Sequence, residues 1–197
     1  AIKQREDSMF LTYASSKTAS IKKSRKYRSL KVVRPTPGST PSRGFIKLGS
    51  ASIACVLGPA GAVWRKKEGD YATPRGAFFL LFGRYRADRL SKPVSLEKLA
   101  PIRQTDIWCD DLSSFRYNQP GTAPVRYRHE RLWRVAAVYD ITLMLDYNLR
   151  PRRLGRGSAI FLHLTEDYQP TAGCIAIKLN DMRRVLSQIS RAAIVKI

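Results

Sequence analysis

From about residue 29 onward the chain is a series of short apolar runs separated by Gly, Pro and Ser, and run lengths of this kind predict strands rather than helices. Leu30-Lys-Val-Val33 is the first. A turn region, RPTPGSTPSRG, leads to runs at 44–48 and 51–57, bounded by Gly49 and by Gly58-Pro59. Residues 77–82, AFFLLF, are continuously apolar, long enough for a buried strand and too short for a typical helix. Residues 139–146 and 158–164 predict two further strands, and Cys174-Ile-Ala-Ile177 a short one. The period changes near the C-terminus. Met182, Val185, Leu186 and Ile189 recur at i, i+3, i+4 and i+7, which predicts an amphipathic helix with Asn180 as its N-cap. Between about residues 88 and 135 the chain is irregular and Pro-bearing, and so long an excursion in a compact domain predicts a lid or binding loop. The whole pattern predicts a mostly β fold, a sandwich or barrel with at least one docked C-terminal helix.

Length and composition narrow this picture. A chain of 197 residues, 44% hydrophobic, has room for one domain with a real core. No apolar run approaches the length that spans a bilayer. MFLTYASSKTASIKKSRK lacks the sustained apolar segment of a signal peptide, which fits a cytoplasmic protein, an unusual export route, or a leader outside this sequence. Residues 1–28 read as a basic, flexible arm and 29–197 as the folded domain. The first eight residues, AIKQREDS, precede Met9 and could have been appended to the natural chain.

Charge adds a partner class. Thirty-six Lys and Arg against fifteen acids give a net charge of +21, which favours a polyanion: nucleic acid, anionic lipid or an acidic wall polymer. Part of the excess sits in KTASIKKSRKYRSLK, residues 17–31, which has no apolar periodicity with which to join a core. That arm is expected to be dispensable for chemistry and to strengthen salt-dependent attachment to an anionic wall or membrane surface. A second cluster, residues 126–156, interleaves arginines with Tyr127, Trp133, Tyr139 and Tyr147. Base stacking and ordinary strand faces with solvated arginines both fit that interleaving. No recognisable nucleic-acid motif accompanies it, so a nucleic-acid-binding protein is the distant alternative.

Three cysteines and two histidines carry the candidate chemistry. Cys55 and Cys109 are expected to be buried or bonded to each other, leaving Cys174 reduced and partly accessible. No Cys/His spacing suits zinc, and no metal or organic cofactor is expected. In HLTEDYQPTAGC, residues 163–174, a polar loop separates His163 from Cys174. A core cysteine near a strand histidine and a thiol with its base both fit that spacing. A hairpin of 158–164 with 174–177 would bring the two together. Ala159, Phe161 and His163 would then share one face, and Ile160, Leu162 and Leu164 the other. Thr171-Ala-Gly173 supplies backbone without bulk, suited to exposed amides for an oxyanion. Basic surroundings would lower the thiol's pKa. His129, in HERLW, is a competing base, read as structural or lid-forming.

Several motifs together resemble the L,D-transpeptidase catalytic domain family. TPRGAF at 73–78 is similar to that family's TPxGxF signature, Ile160-Phe-Leu-His163 to its catalytic-histidine strand, and Thr171-Ala-Gly-Cys174 to its [ST]HGC nucleophile motif. WCDD at 108–111, HERLW at 129–133 and GRGSAIFLH at 155–163 resemble a compact Gram-negative branch, so that the likeness spans nearly all of 29–197. Ala172 stands where the family has His, Ala176 where it often has a substrate-holding Arg, and the His-to-Cys loop is shorter than usual.

The resemblance implies cysteine-dependent acyl transfer on peptidoglycan stem peptides through a Cys174 thioester, in the periplasm or cell envelope. His163 would be the base and the amides of Gly173 and Cys174 the oxyanion donors. Acyl acceptors would be another stem, an envelope protein or water. With water the enzyme would be a hydrolase of the same fold: a carboxypeptidase, endopeptidase or amidase. Thr171, Arg153 and Arg156 are the candidate substrate-binding residues, the two arginines as replacements for the missing guanidinium. Thr73 and Gly76 are expected to be architectural.

Overall fold

A computed structural model describes residues 26–34, 38–95 and 97–197. The arm through residue 25 and the centre of the first turn region, 35–37, lie outside the described residues. The strands are β1 (Tyr27–Val33), β2 (Arg43–Leu48), β3 (Ala51–Val56), β4 (Ala62–Val63), β5 (Thr73–Pro74), β6 (Ala77–Tyr85) and β7 (Leu99–Pro101). They continue with β8 (Asp106–Cys109), β9 (Pro120–Thr122), β10 (His129–Arg131), β11 (Ile141–Leu145), β12 (Phe161–Leu164), β13 (Ile175–Ile177) and β14 (Ile189–Lys196). One helix, α1 (Leu179–Gln188), precedes β14.

The strand order β11-β12-β13-β3-β2-β1-β14-β6 returns on itself through β6–β11 pairing, closing an eight-stranded barrel, and β7 hangs off β6 outside the closure. Closure removes the exposed sheet edges that invite aggregation. The interior is filled by alternate residues: Leu30 and Val32 of β1, Ile46 and Leu48 of β2, Ile141, Leu143 and Leu145 of β11, Leu162 and Leu164 of β12. Met182, Val185 and Leu186 of α1 belong to this same core, so the helix's apolar stripe packs against the inner side chains of the strands.

A second core lies on the opposite side of β11 and β12. There Trp108, Leu132 and Tyr139 pack on Met144 and Phe161, with Cys174 among them. Trp108 and Tyr139 meet Phe161 edge to face at 5.1 and 6.0 Å. The irregular 88–135 excursion therefore has a definite structure: β8 pairs with β9 and β10 in a three-stranded sheet laid over the outer face of the barrel. Every residue of β12 is buried because both of its faces are covered.

Some sequence expectations need correction. β1 begins at Tyr27, two residues inside the expected arm. Asn180 does not cap α1: the N-cap is Lys178, and Asn180 lies within the helix. Ile189, read as the last helical residue, turns extended at the helix end and starts β14, a strand not foreseen. The strand expected over 158–164 is shortened to Phe161–Leu164 because Ala159 has φ 52, in the left-handed region. β12 and β13 do not form a hairpin. They run parallel, pairing Leu162 with Ile175 and His163 with Ala176. The loop between them crosses the barrel end, where the Thr171 N–H donates to Leu57 O, and re-enters the sheet beside β3 in the same direction.

Gly58 sets a close backbone approach between this end of β3 and the β4–β5 loop. A Cβ there would lie 2.1 Å from Tyr71 O. The Gly58 N–H also donates to Thr73 Oγ1 at 3.0 Å. Gly58→Ala must push the two segments apart, and we expect it to cost about 1–3 kcal/mol or more in urea unfolding, the range for overpacking. A wild-type midpoint would contradict that approach.

Candidate active site

The parallel register places Cys174, one residue before β13, level with Phe161, so that Cys174, Phe161 and His163 all face out of the barrel toward the overlying three-stranded sheet. Between the two layers lies a cavity of about 670 Å³. Cys174, His163 and Thr171 line it, as do His129, Glu68, Asp110, Glu130, Arg134 and Tyr139.

The thiol is held on both sides. Cys174 Sγ donates to Ala159 O at 3.1 Å and accepts from the Phe161 N–H at 3.3 Å. Ala159 can aim its carbonyl there because of its left-handed φ, a strained conformation for a residue with a side chain. Asn118 stabilises it: Asn118 Oδ1 accepts from the Ala159 N–H at 3.0 Å and from Trp108 Nε1 at 2.9 Å. On the chain's other side, Thr171 Oγ1 donates to Cys174 O at 2.7 Å and accepts from the Gly173 N–H at 3.2 Å. Thr73 Oγ1 reaches the same Cys174 carbonyl at 3.4 Å. Thr73 thus ties the TPRGAF segment to the Thr171–Cys174 turn.

His163 sits on the same face. Its Nδ1 bonds Leu164 O at 2.8 Å, and its ring meets Tyr139 edge to face at 5.2 Å. A neutral imidazole leaves one ring nitrogen unprotonated, and that lone pair is what a general base needs. Burial drives the imidazole pKa down to about 4, against the carbonyls of Leu164 and Val138, which favour the charged ring. Burial, with the nearby Glu130 charge, pushes the Cys174 thiol up to about 12. The resting pair is therefore a neutral thiol and a neutral imidazole, with no hydrogen bond between them among the described residues. This corrects the expectation of an accessible, acidified thiolate: Cys174 is only 7% exposed. Desolvation outweighs the basic surroundings.

The other expectations divide. Cys55 and Cys109 are buried, as expected, but both are free thiols, so the alternative that they are bonded to each other falls. The Gly173 amide is taken by Thr171 rather than exposed. Arg153 and Arg156 are exposed on the 148–157 loop, where Arg153 N–H donates to Asn148 Oδ1, and neither lines the cavity. The guanidinium that does is Arg134. It donates to Glu130 Oε1 at 2.5 Å and lies over the Tyr139 ring at 4.7 Å, while Tyr139 Oη donates to the same Glu130 oxygen at 2.7 Å. Arg86 fixes this segment, donating to Arg134 O at 2.6 Å with its own plane 3.7 Å from the Trp133 ring centre. Two of the interleaved aromatics, Trp133 and Tyr139, are thus already covered by arginines of the same chain. His129 lines the cavity with Nδ1 on Tyr127 O at 2.8 Å.

Glu130, Arg134 and Asn118 are site residues the sequence did not single out, and Tyr139 stood there only as one of the interleaved aromatics. The i, i+4 spacing of Glu130 and Arg134 is the sequence signal of their ion pair. Asn118 left none. Among the described residues no group of His, Cys, Asp and Glu could hold a metal ion, and no helix is long and apolar enough to cross a membrane.

No curated protein matches the chain. A model of the L,D-transpeptidase catalytic domain matches residues 27–197, from the first barrel strand to the last residue. That match covers the barrel, the overlying sheet and the cavity between them, and the chain belongs to the L,D-transpeptidase catalytic domain family, enzymes of the cell envelope that act on peptidoglycan.

Proposed function

We propose that this protein performs L,D-transpeptidation: Cys174 takes the acyl group of a peptidoglycan stem peptide as a thioester and passes it to an amine. The observation that carries the reading is the shared outward face of Cys174 and His163 at the floor of one cavity, within a chain matched almost whole by the family. As the donor carbonyl enters, the thiol proton leaves Ala159 O for the unprotonated ring nitrogen of His163 and sulfur attacks the carbonyl carbon. The new imidazolium is stabilised by the Leu164 and Val138 carbonyls. The tetrahedral oxyanion is received by the Cys174 N–H, joined by the Gly173 N–H once Thr171 yields it. Collapse expels the leaving amine, which takes the proton from His163. An acceptor amine then gives a proton to His163, attacks the thioester and restores the thiol.

The cavity's chemistry suits a stem carrying both an ammonium and a carboxylate. Glu68, Asp110 and Glu130 supply negative charge, and Arg134 a guanidinium. The acceptor is a second stem or an envelope-protein amine, in the periplasm, with the basic arm on an anionic wall or membrane surface. A tetrapeptide stem with excess amine acceptor should give the cross-linked product and the released terminal residue by mass spectrometry. Tripeptide alone, whatever the acceptor concentration, would mean that water is the acceptor and the protein is a hydrolase. Neither product would sink both readings.

A further inference from the structure

Beneath the nucleophile turn lies a lysine that the mechanism above does not use. Lys66 is 3% exposed, although its neighbour Lys67 is solvated, and a lysine is rarely this buried without a reason. Its stem runs between two glycines. A Cβ on Gly157 would stand 2.8 Å from Lys66 Cε, and one on Gly173 would stand 3.3 Å from Lys66 Nζ and 3.4 Å from Cε. Both glycines hold positive φ, 94 and 137. Gly157 opens the segment that reaches Ala159, whose carbonyl holds the thiol, and Gly173 immediately precedes Cys174. The lysine stem is therefore the filler between the two backbone segments that grip the sulfur.

The ammonium end is fixed as well. Lys66 Nζ donates to Asp70 Oδ1 at 2.7 Å and to Lys67 O at 3.2 Å, two acceptors for three N–H groups. Asp70 is anchored in turn by the N–H groups of Ala72 and Lys67. The result is a rigid positive charge under the Gly173–Cys174 turn. Arg134 and Lys66 both favour the thiolate electrostatically, and Glu130 opposes it. Of the two cations Lys66 acts the more strongly on the sulfur, against a larger opposing effect of Glu130, and its own counter-charge is Asp70.

We propose that Lys66 is a positioning residue for Cys174: its stem spaces the Gly157 and Gly173 segments, and its ammonium supplies the fixed charge that makes the buried sulfur ionisable when a substrate arrives. The inference rests on Cys174 as nucleophile, but not on the identity of the acyl donor or acceptor. Its test therefore reads the thiol and not turnover.

The full chain and two variants, Lys66→Met and Asp70→Asn, would be alkylated with iodoacetamide across pH 6–11, following the Cys174 peptide by mass spectrometry. Lys66→Met keeps the stem and removes the charge. We expect its profile to move to higher pH and its rate at pH 8 to fall about tenfold, the loss of thiolate per unit of pKa. Asp70→Asn keeps the ammonium and removes its counter-charge, so its profile should move to lower pH. With the thiol pushed up to about 12 the rate rises steadily across this range, so the sign of each variant's displacement is the readout, and a merely structural lysine would displace both variants in the same direction. That outcome, or a wild-type profile in Lys66→Met, would overturn the proposal. Should Lys66→Met fail to fold, Asp70→Asn decides alone: a profile at lower pH supports the proposal, and an unchanged or slower one refutes it. Loss of cross-linking with a normal alkylation shift would count against the proposed reaction and leave Lys66's role intact.

Discussion

Replacing Cys174 with alanine is expected to abolish both stem-peptide turnover and covalent acylation by a carbapenem-type β-lactam, which family resemblance makes a suitable probe. The sulfur is the one nucleophile placed between Ala159 O, Phe161 N–H and the cavity that also holds His163, and alanine leaves nothing there to attack a carbonyl. Replacing His163 with alanine should slow acylation by about 10²-fold or more, the usual scale for loss of a general base. The structure sharpens this second expectation. A thiol pushed up to about 12 has almost no thiolate at neutral pH, so it depends on its base more than an acidified cysteine would. If His129→Ala were the damaging change and His163→Ala harmless, the base would be the other cavity-lining imidazole.

The second large effect is on stability in acid. His163 titrates near 4 when folded, because burial disfavours its charged form, against an ordinary value of 6.5 in the unfolded chain. Between those values the unfolded chain binds more protons than the folded one, so stability falls as pH falls. The penalty should begin near pH 6.5, grow to about 3 kcal/mol and level off below pH 4. Carboxylates titrate in the same window, so the measurement is a difference: urea unfolding of wild type and His163→Gln at pH 7, 5.5 and 4. Wild type should lose more stability than the variant over that range. Parallel curves would show that the ring is hydrated and charged in the native state.

The β-rich fold was legible because its signals are local. Alternation in LKVV and the faces of Phe161 and His163 against Leu162 and Leu164 follow from period two, and the structure repeats them; the continuous run AFFLLF is a strand as expected but not a buried one, since Phe79 and Leu81 are exposed. What was illegible depends on contacts between distant segments. Nothing in ISRAAIVK separates helix from strand, because the chain turns extended at Ile189 without a Gly or Pro, and β14 is made by pairing with β1 and β6. The direction of β13 is set by Thr171 anchoring on Leu57 O, 114 positions away in the chain by the difference of their numbers. A short polar loop alone reads as a hairpin. Cys174 and His163, carried by sequence motifs, lie together on one face. The candidate substrate arginines, chosen from LRPRRLGR to replace the guanidinium missing from the family pattern, lie on an exposed loop, and the cavity's guanidinium comes instead from the HERLWR segment. Charge density in a sequence does not say which arginine meets a cavity. A partner four residues away and a ring beneath it, as Arg134 has, are better indicators.

The proposed reaction turns on a thioester at Cys174. The most direct measurement is to mix the full chain with a defined tetrapeptide stem, quench in acid within the first turnovers, and determine the mass of the intact protein and of its Cys174-bearing peptide. An adduct equal to the stem minus its terminal residue is expected on Cys174, released by added acceptor amine. An adduct on any other residue, or release of the terminal residue with no adduct on Cys174 even in single-turnover sampling, would contradict it.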